Sequence, residues 1–229
     1  VEITLKYFPS ICVDNFYDDP DKIREFALSL DYYPSDTGAW PGKRTKLLHE
    51  IDENFFKNFC IKVLSLYYDF NLSRVDWEIA TSFQLIEPYD PKEDSLKNKG
   101  FIHIDKDNIF AGVVYLTPNA NSKCGTSLYK VIDQDIIDKD SNLSFGEDIK
   151  SKFYKHGIDE NFDQEFTSFN SAFEETVRFN NEYNRMISFD SSVYHAANSF
   201  YSETPRLTQV FFVKSITSSV SPPLKRFKV

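Results

Sequence analysis

Apolar positions follow two different periods along this chain, and the change comes near residue 79. Before it the spacing is helical. Asp19-Pro20 puts an acid at a helix N-cap and proline at the first helical position. Ile23, Phe26, Ala27 and Leu30 then recur at three- and four-residue intervals. A second stripe, Ile51, Phe55, Phe56, Phe59, Cys60, Val63, Leu64 and Tyr67, predicts a longer helix. Both helices are expected to brace a sheet. From Ile79 the pattern changes to short β-rich runs between turns: 79–87, 101–105, 112–117, 126–130, 185–190 and 206–213. Short strands of this kind predict a sandwich or barrel.

Residues 131–180 break the series. They carry twelve acids against five bases, so most of the chain's net charge of −9 sits there. Phe162, Phe166, Phe169, Phe173 and Val177 suggest one helix packing back on the body. The segment is expected to be an insertion, either solvated or folded over as a lid. Between the two N-terminal helices, Trp40-Pro41-Gly42-Lys43-Arg44 reads as a solvated loop with exposed cations, in preference to a substrate mouth. The stretch after Ser215 reads as a flexible tail.

Composition narrows the functional classes. With 229 residues the chain can bury a full core, and 22 Phe and 13 Tyr supply most of it. No apolar run is long enough to cross a bilayer. The acidic balance argues against nucleic acid as a partner. Three widely spaced cysteines, Cys12, Cys60 and Cys124, form neither a zinc pair nor a disulfide framework. No basic-then-apolar leader opens the chain. A reducing, cytoplasmic compartment is the resulting expectation.

Four histidines are present, and two stand in chemically suggestive settings. His103-Ile104-Asp105 lies in a predicted strand, where residues i and i+2 face the same way. An imidazole and a carboxylate therefore project together, with Phe101, and can hold one edge of a metal ion. His195 follows another apolar strand. Arg206 opens Arg206-Leu207-Thr208-Gln209-Val210-Phe211-Phe212-Val213 and shares a strand face with Thr208, Val210 and Phe212. An arginine on an inner, apolar face is costly unless it meets an anion, and its fork matches a carboxylate. Two histidines and one carboxylate on one side of a metal leave three positions open, the arrangement of non-haem Fe(II) oxygenases. His49 and His156 lack such partners and read as surface residues, and Cys124 reads as core filling.

These residues give the chain a resemblance to the 2-oxoglutarate/Fe(II)-dependent dioxygenase superfamily, on its prolyl-4-hydroxylase-like side, over roughly residues 79–130 and 185–213. Gly112-Val113-Val114-Tyr115-Leu116-Thr117-Pro118 resembles the strand after the family's His-x-Asp. Cys124-Gly125-Thr126-Ser127-Leu128-Tyr129 resembles its Gly-Gly-x-Thr-x-Phe strand, with Cys124 in place of one glycine. Arg206-Leu207-Thr208 stands for the final Arg-x-Ser, and Val13-Asp14-Asn15-Phe16 with Asp19-Pro20 is similar to the N-terminal flank. The segment 87–100 lacks the usual tyrosine and glycine before the His-x-Asp, with Gln84 as a substitute contact.

The resemblance implies a mainly β protein with flanking helices, a double-stranded β-helix or jelly roll of cupin-like type. One domain is expected over 1–229. It comprises a helical flank at 1–78, core at 79–130 and 185–213, an insertion at 131–184 and a tail at 216–229. It further implies that His103, Asp105 and His195 bind Fe(II) and that Arg206, Thr208 and Tyr115 hold the far carboxylate of the co-substrate 2-oxoglutarate. O2 then completes a hydroxylase that releases succinate and CO2. Asp105, where a halogenase has Ala or Gly, argues against halogenation. The substrate, peptidyl or small-molecule, is left open among a prolyl side chain, a free amino acid and a metabolite. Two other readings remain: a non-catalytic jelly-roll binding protein and a cupin-like metalloprotein that needs no 2-oxoglutarate.

Overall fold

The computed structural model describes residues 8–72, 74–141, 150, 151, 154 and 162–219. Among these residues, ten strands form two antiparallel sheets. They are β1 (Ile11–Val13), β2 (Tyr33–Pro34), β3 (Lys43–Arg44), β4 (Val75–Ile86), β5 (Phe110–Tyr115), β6 (Thr126–Val131), β7 (Phe173–Phe179), β8 (Met186–Asp190), β9 (Tyr194–Ala197) and β10 (Arg206–Ser218). The major sheet has the order β1-β8-β5-β10-β4-β3-β2, and the minor sheet the order β7-β6-β9. This is a double-stranded β-helix with flanking helices. Sheets packed face to face interdigitate one face of each, and the other faces need separate cover.

Helices cover the outer face of the major sheet. The first, α1 (Pro20–Leu28), starts where expected: the Asp19 side chain accepts a hydrogen bond from the Lys22 N–H at 3.2 Å. The long stripe divides into α2 (Leu48–Ile51) and α3 (Glu53–Leu64), because Asp52 is extended and caps α3 by accepting from the Phe55 N–H at 2.9 Å. Phe59, Cys60, Val63 and Leu64 of α3 pack on Phe83, Phe110, Val114, Leu207 and Phe211 of the sheet in one apolar core. Phe211 meets Phe59 edge to face at 5.5 Å. Opposite Phe211 on β5 stands Gly112, where a Cβ would lie 2.3 Å from the Phe211 ring and 2.2 Å from the Ile187 carbonyl oxygen. The outer layer closes because that position has no side chain.

Three differences from the sequence expectation bear on the site. The N-terminal flank is not only helical: β1 pairs with β8, and β3 pairs with β4. The stretch 131–184 is not only an insertion. It contributes α4 (Gln134–Ser141), α5 (Phe162–Asn170) and then β7, which pairs with β6 in the minor sheet. The Phe spacing predicts helix through Phe173 and Val177, but the chain turns at Ser171 and Ala172. Thr176 then donates to the Leu128 carbonyl oxygen across the ladder at 3.1 Å. The helix expected over that stripe stops at Asn170 because the remaining residues find a strand partner. Third, β10 runs on to Ser218, beyond the expected end of the core. Residues 142–149, 152, 153 and 155–161 of the expected lid, His156 among them, and most of the C-terminal tail lie outside the described residues. Among the described residues no helix is long and apolar enough to cross a membrane.

A candidate metal and anion site between the sheets

Alternation along the strands decides what faces the interior between the sheets. On β10 the odd residues Leu207, Gln209, Phe211 and Val213 face the helices, so Arg206, Thr208, Val210 and Phe212 face the minor sheet. Register then assembles rows across the sheet. Tyr115, Thr208, Gln84 and Arg44 are successive cross-strand partners, and Arg206 sits beside Ile86 one step along. A cavity of about 160 Å³ opens over these rows, lined among others by Arg44, Gln84, His103, Asp105, His195 and Arg206.

His103 and His195 arrive from opposite directions on adjacent extended segments. Each donates its backbone N–H to the other's carbonyl oxygen, at 3.0 and 2.9 Å. The Gly100 and Asp105 N–H groups continue that pairing to Ala197 and Ser191, each at 3.0 Å. The strand expected over 101–105 is thus present as an extended segment with a single ladder pair at His103. Phe101, His103 and Asp105 line the cavity, and Ile102 goes the other way, into an apolar cluster with Ala172, Phe173 and Ala196.

The two imidazoles are held alike. The His103 Nδ1 lies 2.7 Å from the Phe101 carbonyl oxygen, and the His195 Nδ1 lies 2.9 Å from that of Val193. A carbonyl only accepts, so each Nδ1 carries a proton, and Nε2 is the nitrogen left to face a metal. Both Nε2 atoms face Asp105: His103 Nε2 is 3.7 Å from Oδ1, and His195 Nε2 is 3.3 Å from Oδ2. One ligand atom from each of the three residues lies within 4.8 Å of the others. Backbone bonds that fix the tautomer and ring direction are what metal-binding histidines require of their surroundings.

Electrostatics favour the ligand forms. Burial, the Lys150 ammonium and the neighbouring His195 hold the His103 imidazolium pKa well below its usual value. Burial pushes the Asp105 carboxyl up, but the hydrogen bond from His195 and the nearby positive charges outweigh it and hold the group below the ordinary carboxylate range. A neutral imidazole and an ionised carboxylate are the forms that coordinate a divalent ion. The site therefore fits one, and nitrogen plus carboxylate donors with open positions suit Fe(II).

Arg206 is 4% exposed and has no carboxylate partner among the described residues. Its Nε makes one long hydrogen bond, 3.4 Å, to the Cys124 carbonyl oxygen, and its guanidinium lies over the Tyr115 ring at 5.5 Å. Tyr115 and Thr208 are fully buried behind the cavity wall. The Tyr115 hydroxyl donates to Thr126 Oγ1 at 2.8 Å, and Thr208 Oγ1 has no partner among the described residues. The structure thus brings together His103, Asp105 and His195, and beside them Arg206, Thr208 and Tyr115. Cys124 is buried, with its thiol against the Tyr201 carbonyl oxygen at 2.8 Å, while His49 is exposed.

Over residues 2–204 the sequence matches the model of a family of unknown function, DUF6445. The chain belongs to that family. No curated protein matches the sequence. Among solved structures, a prolyl hydroxylase from Trichoplax adhaerens, in complex with a hypoxia-inducible-factor peptide, is similar in fold. Its TM-score is 0.51 at 11% identity, over 89% of this chain and 82% of that one. HygX from Streptomyces hygroscopicus, solved with nickel and 2-oxoglutarate, matches with a TM-score of 0.48 at 11% identity, over the same shares of each chain. The DUF6445 chain therefore has the fold of the 2-oxoglutarate/Fe(II) oxygenases.

One part of the cavity was missed in the sequence. Arg44 was expected in solvent, yet it lines the cavity, with its guanidinium over the Trp40 ring at 4.7 Å and over Phe212 at 5.4 Å. The cause is Gly42, whose φ of +64° lets the loop turn back along β4. A Cβ there would lie 2.3 Å from the Leu85 carbonyl oxygen. Trp-Pro-Gly ahead of a cation was the available signal.

Proposed function

We propose that this protein is an Fe(II)- and 2-oxoglutarate-dependent oxygenase that hydroxylates its substrate and releases succinate and CO2. The observation that carries the reading is the convergence of His103, Asp105 and His195, with both Nδ1 atoms tied to backbone, beside the buried Arg206. His103, Asp105 and His195 would hold the metal. With 2-oxoglutarate and O2, the bound metal would supply the oxidising chemistry. The chain's own residues do the rest. Arg206 offers a bidentate fork to the co-substrate's far carboxylate, and Thr208 Oγ1 offers the hydroxyl that now lacks a partner. Tyr115 packs its ring against the guanidinium and holds it in place. Phe189, whose ring centroid lies 4.4 Å from that of His195, and Phe212 keep water from that side of the metal site.

The test is an anaerobic titration of metal-free protein with Fe(II) and then 2-oxoglutarate, followed by the visible charge-transfer band of the chelate. The band is expected in the wild type, absent in Asp105→Ala and weakened in Arg206→Ala. A folded, iron-loaded wild type with no band would overturn the reading.

A further inference from the structure

A second arginine faces the same cavity, and the proposed co-substrate leaves it without a counter-charge. Under that reading the metal's charge is met by Asp105 and the chelating carboxylate of 2-oxoglutarate, and Arg206 is met by the far carboxylate. Arg44 is left over. Among the described residues no hydrogen bond or ion pair reaches its guanidinium, and its Nε is buried without a partner. Burial pulls the group down to about 10, against the opposing pull of the Asp105 carboxylate, so it stays charged at neutral pH. Aromatic rings cushion it, but they do not accept in-plane N–H bonds.

The adjoining indole repeats the pattern. Trp40 Nε1 is also buried without an acceptor among the described residues, and Trp40 belongs to the same wall. Arginine and indole nitrogens only donate. Two donor-only groups, the guanidinium over the face of the indole, both without acceptors among the described residues and one of them charged, are costly unless an acceptor meets them, and an anion answers the charge as well. The loop that carries them is held in place: Gln84 Nε2 donates to the Pro41 carbonyl oxygen at 2.7 Å, and the Gly42 N–H donates to the Tyr89 hydroxyl at 2.9 Å. That bond makes Gln84 a brace for this loop.

We infer that Arg44 and Trp40 form an oxyanion subsite for a carboxylate of the primary substrate, separate from the co-substrate's carboxylate site at Arg206. The inference rests on the proposed function for the identity of the second anion. It narrows the substrate to a carboxylate-bearing molecule, such as a free amino acid, and disfavours a prolyl side chain within a peptide that has no anion beside it. A planar guanidinium edge matches a planar carboxylate in a bidentate way.

Trp40 can report on the subsite. The chain has two tryptophans, so the full-length Trp77→Phe protein leaves Trp40 as the sole indole emitter. That protein, loaded with Zn(II) and saturated with 2-oxoglutarate, is titrated with benzoate, benzamide and inorganic phosphate while its fluorescence is followed. Benzoate is expected to give a saturable change and benzamide none, with phosphate weaker than benzoate. Arg44→Gln should weaken benzoate by about tenfold or more, as loss of a charge-assisted pair implies. Arg44→Lys, which keeps the charge, should retain part of the affinity and serves if the Gln variant does not fold. The Fe(II)–2-oxoglutarate band should survive Arg44→Gln.

Equal binding of benzamide and benzoate, undiminished benzoate binding in Arg44→Gln, or a preference for phosphate would overturn the carboxylate subsite. So would loss of the chelate band in Arg44→Gln, which would move Arg44 to the co-substrate. Should the wild type form no chelate, the oxygenase reading fails alone. The benzoate titration, repeated without metal or 2-oxoglutarate, still decides whether Arg44 takes a carboxylate.

Discussion

The two faces of the major sheet are made by alternate residues of the same strands, yet they differ in how several of their polar groups are partnered. On the helix side every polar group singled out here has a protein partner. The Tyr17 hydroxyl donates to Gln209 Oε1, Gln209 Nε2 donates to Thr81 Oγ1 at 3.2 Å, and Tyr67 and Ser188 share a hydrogen bond of 2.6 Å. On the cavity side, among the described residues, Thr208 Oγ1 and Arg44 Nε have none, and Arg206 has one long hydrogen bond. Buried polar groups that satisfy one another belong to the fold, and a buried group without a protein partner in the cavity wall is open to a water, an ion or a ligand. The difference teaches which half of each strand answers to stability and which to chemistry.

The largest effect should come from the cavity side and leave the fold alone. Asp105→Ala removes the one carboxylate that both Nε2 atoms face. Metal affinity should fall by more than about 100-fold, beyond the loss seen when only an outer partner is removed. The melting temperature of the metal-free protein should stay close to wild type. Calorimetric titration with Fe(II) beside a thermal melt checks both halves, and a large loss of melting temperature would break the separation of faces.

Phe211→Ala makes the reverse cut. Its fully buried ring fills the space over Gly112 and against Phe59. Truncation should cost about 3–5 kcal/mol and roughly 6–20 °C of melting temperature. The fraction that remains folded should bind Fe(II) and 2-oxoglutarate as the wild type does. Chemical denaturation and the chelate band together decide it.

Alkaline pH probes the helix side by another route. Burial pushes the Tyr17 hydroxyl well above its usual 10 and the Tyr67 hydroxyl up to about 12. Between those limits the fold keeps a proton that the unfolded chain gives up. Stability is therefore fully present below about pH 10 and falls as pH rises through the folded value, by about 1.4 kcal/mol per pH unit for each group. Urea melts between pH 9 and 12 should show the decline, and Tyr67→Phe should make it shallower by that amount. An unchanged slope would mean that Tyr67 ionises freely in the fold.

How much of this was legible before the structure depended on element length. The runs that became β5, β6, β8 and β10 are long enough to show β-branched and aromatic patterning, and period two alone put His103, Asp105 and Phe101 on one face. Arg206 stood out because a charge on an apolar run asks for a partner. Strands β1, β2 and β3 span two or three residues and leave no period to read. Arg44 was misplaced for that reason, since its burial is set by the turn at Gly42 and the distant partner β4. The helical spacing of Phe162 to Val177 outlasted the helix itself, because strand pairing with β6 overrode it beyond Asn170.

The smallest expected effect tests the comparison most sharply, through two isosteric deletions of one hydroxyl. Tyr17→Phe leaves Gln209 Oε1 buried without its donor, and should cost about 1–3 kcal/mol. Thr208→Val removes a buried hydroxyl that has no hydrogen-bond partner among the described residues. Its effect on the metal-free protein should be under about 1 kcal/mol and of either sign, because no protein hydrogen bond is lost. In the presence of Fe(II) the same substitution should weaken 2-oxoglutarate several-fold, since the hydroxyl is then expected to bond the co-substrate. Equal destabilisation by the two variants would mean that Thr208 Oγ1 serves the fold after all, and the division between the faces would fail at its most exact point.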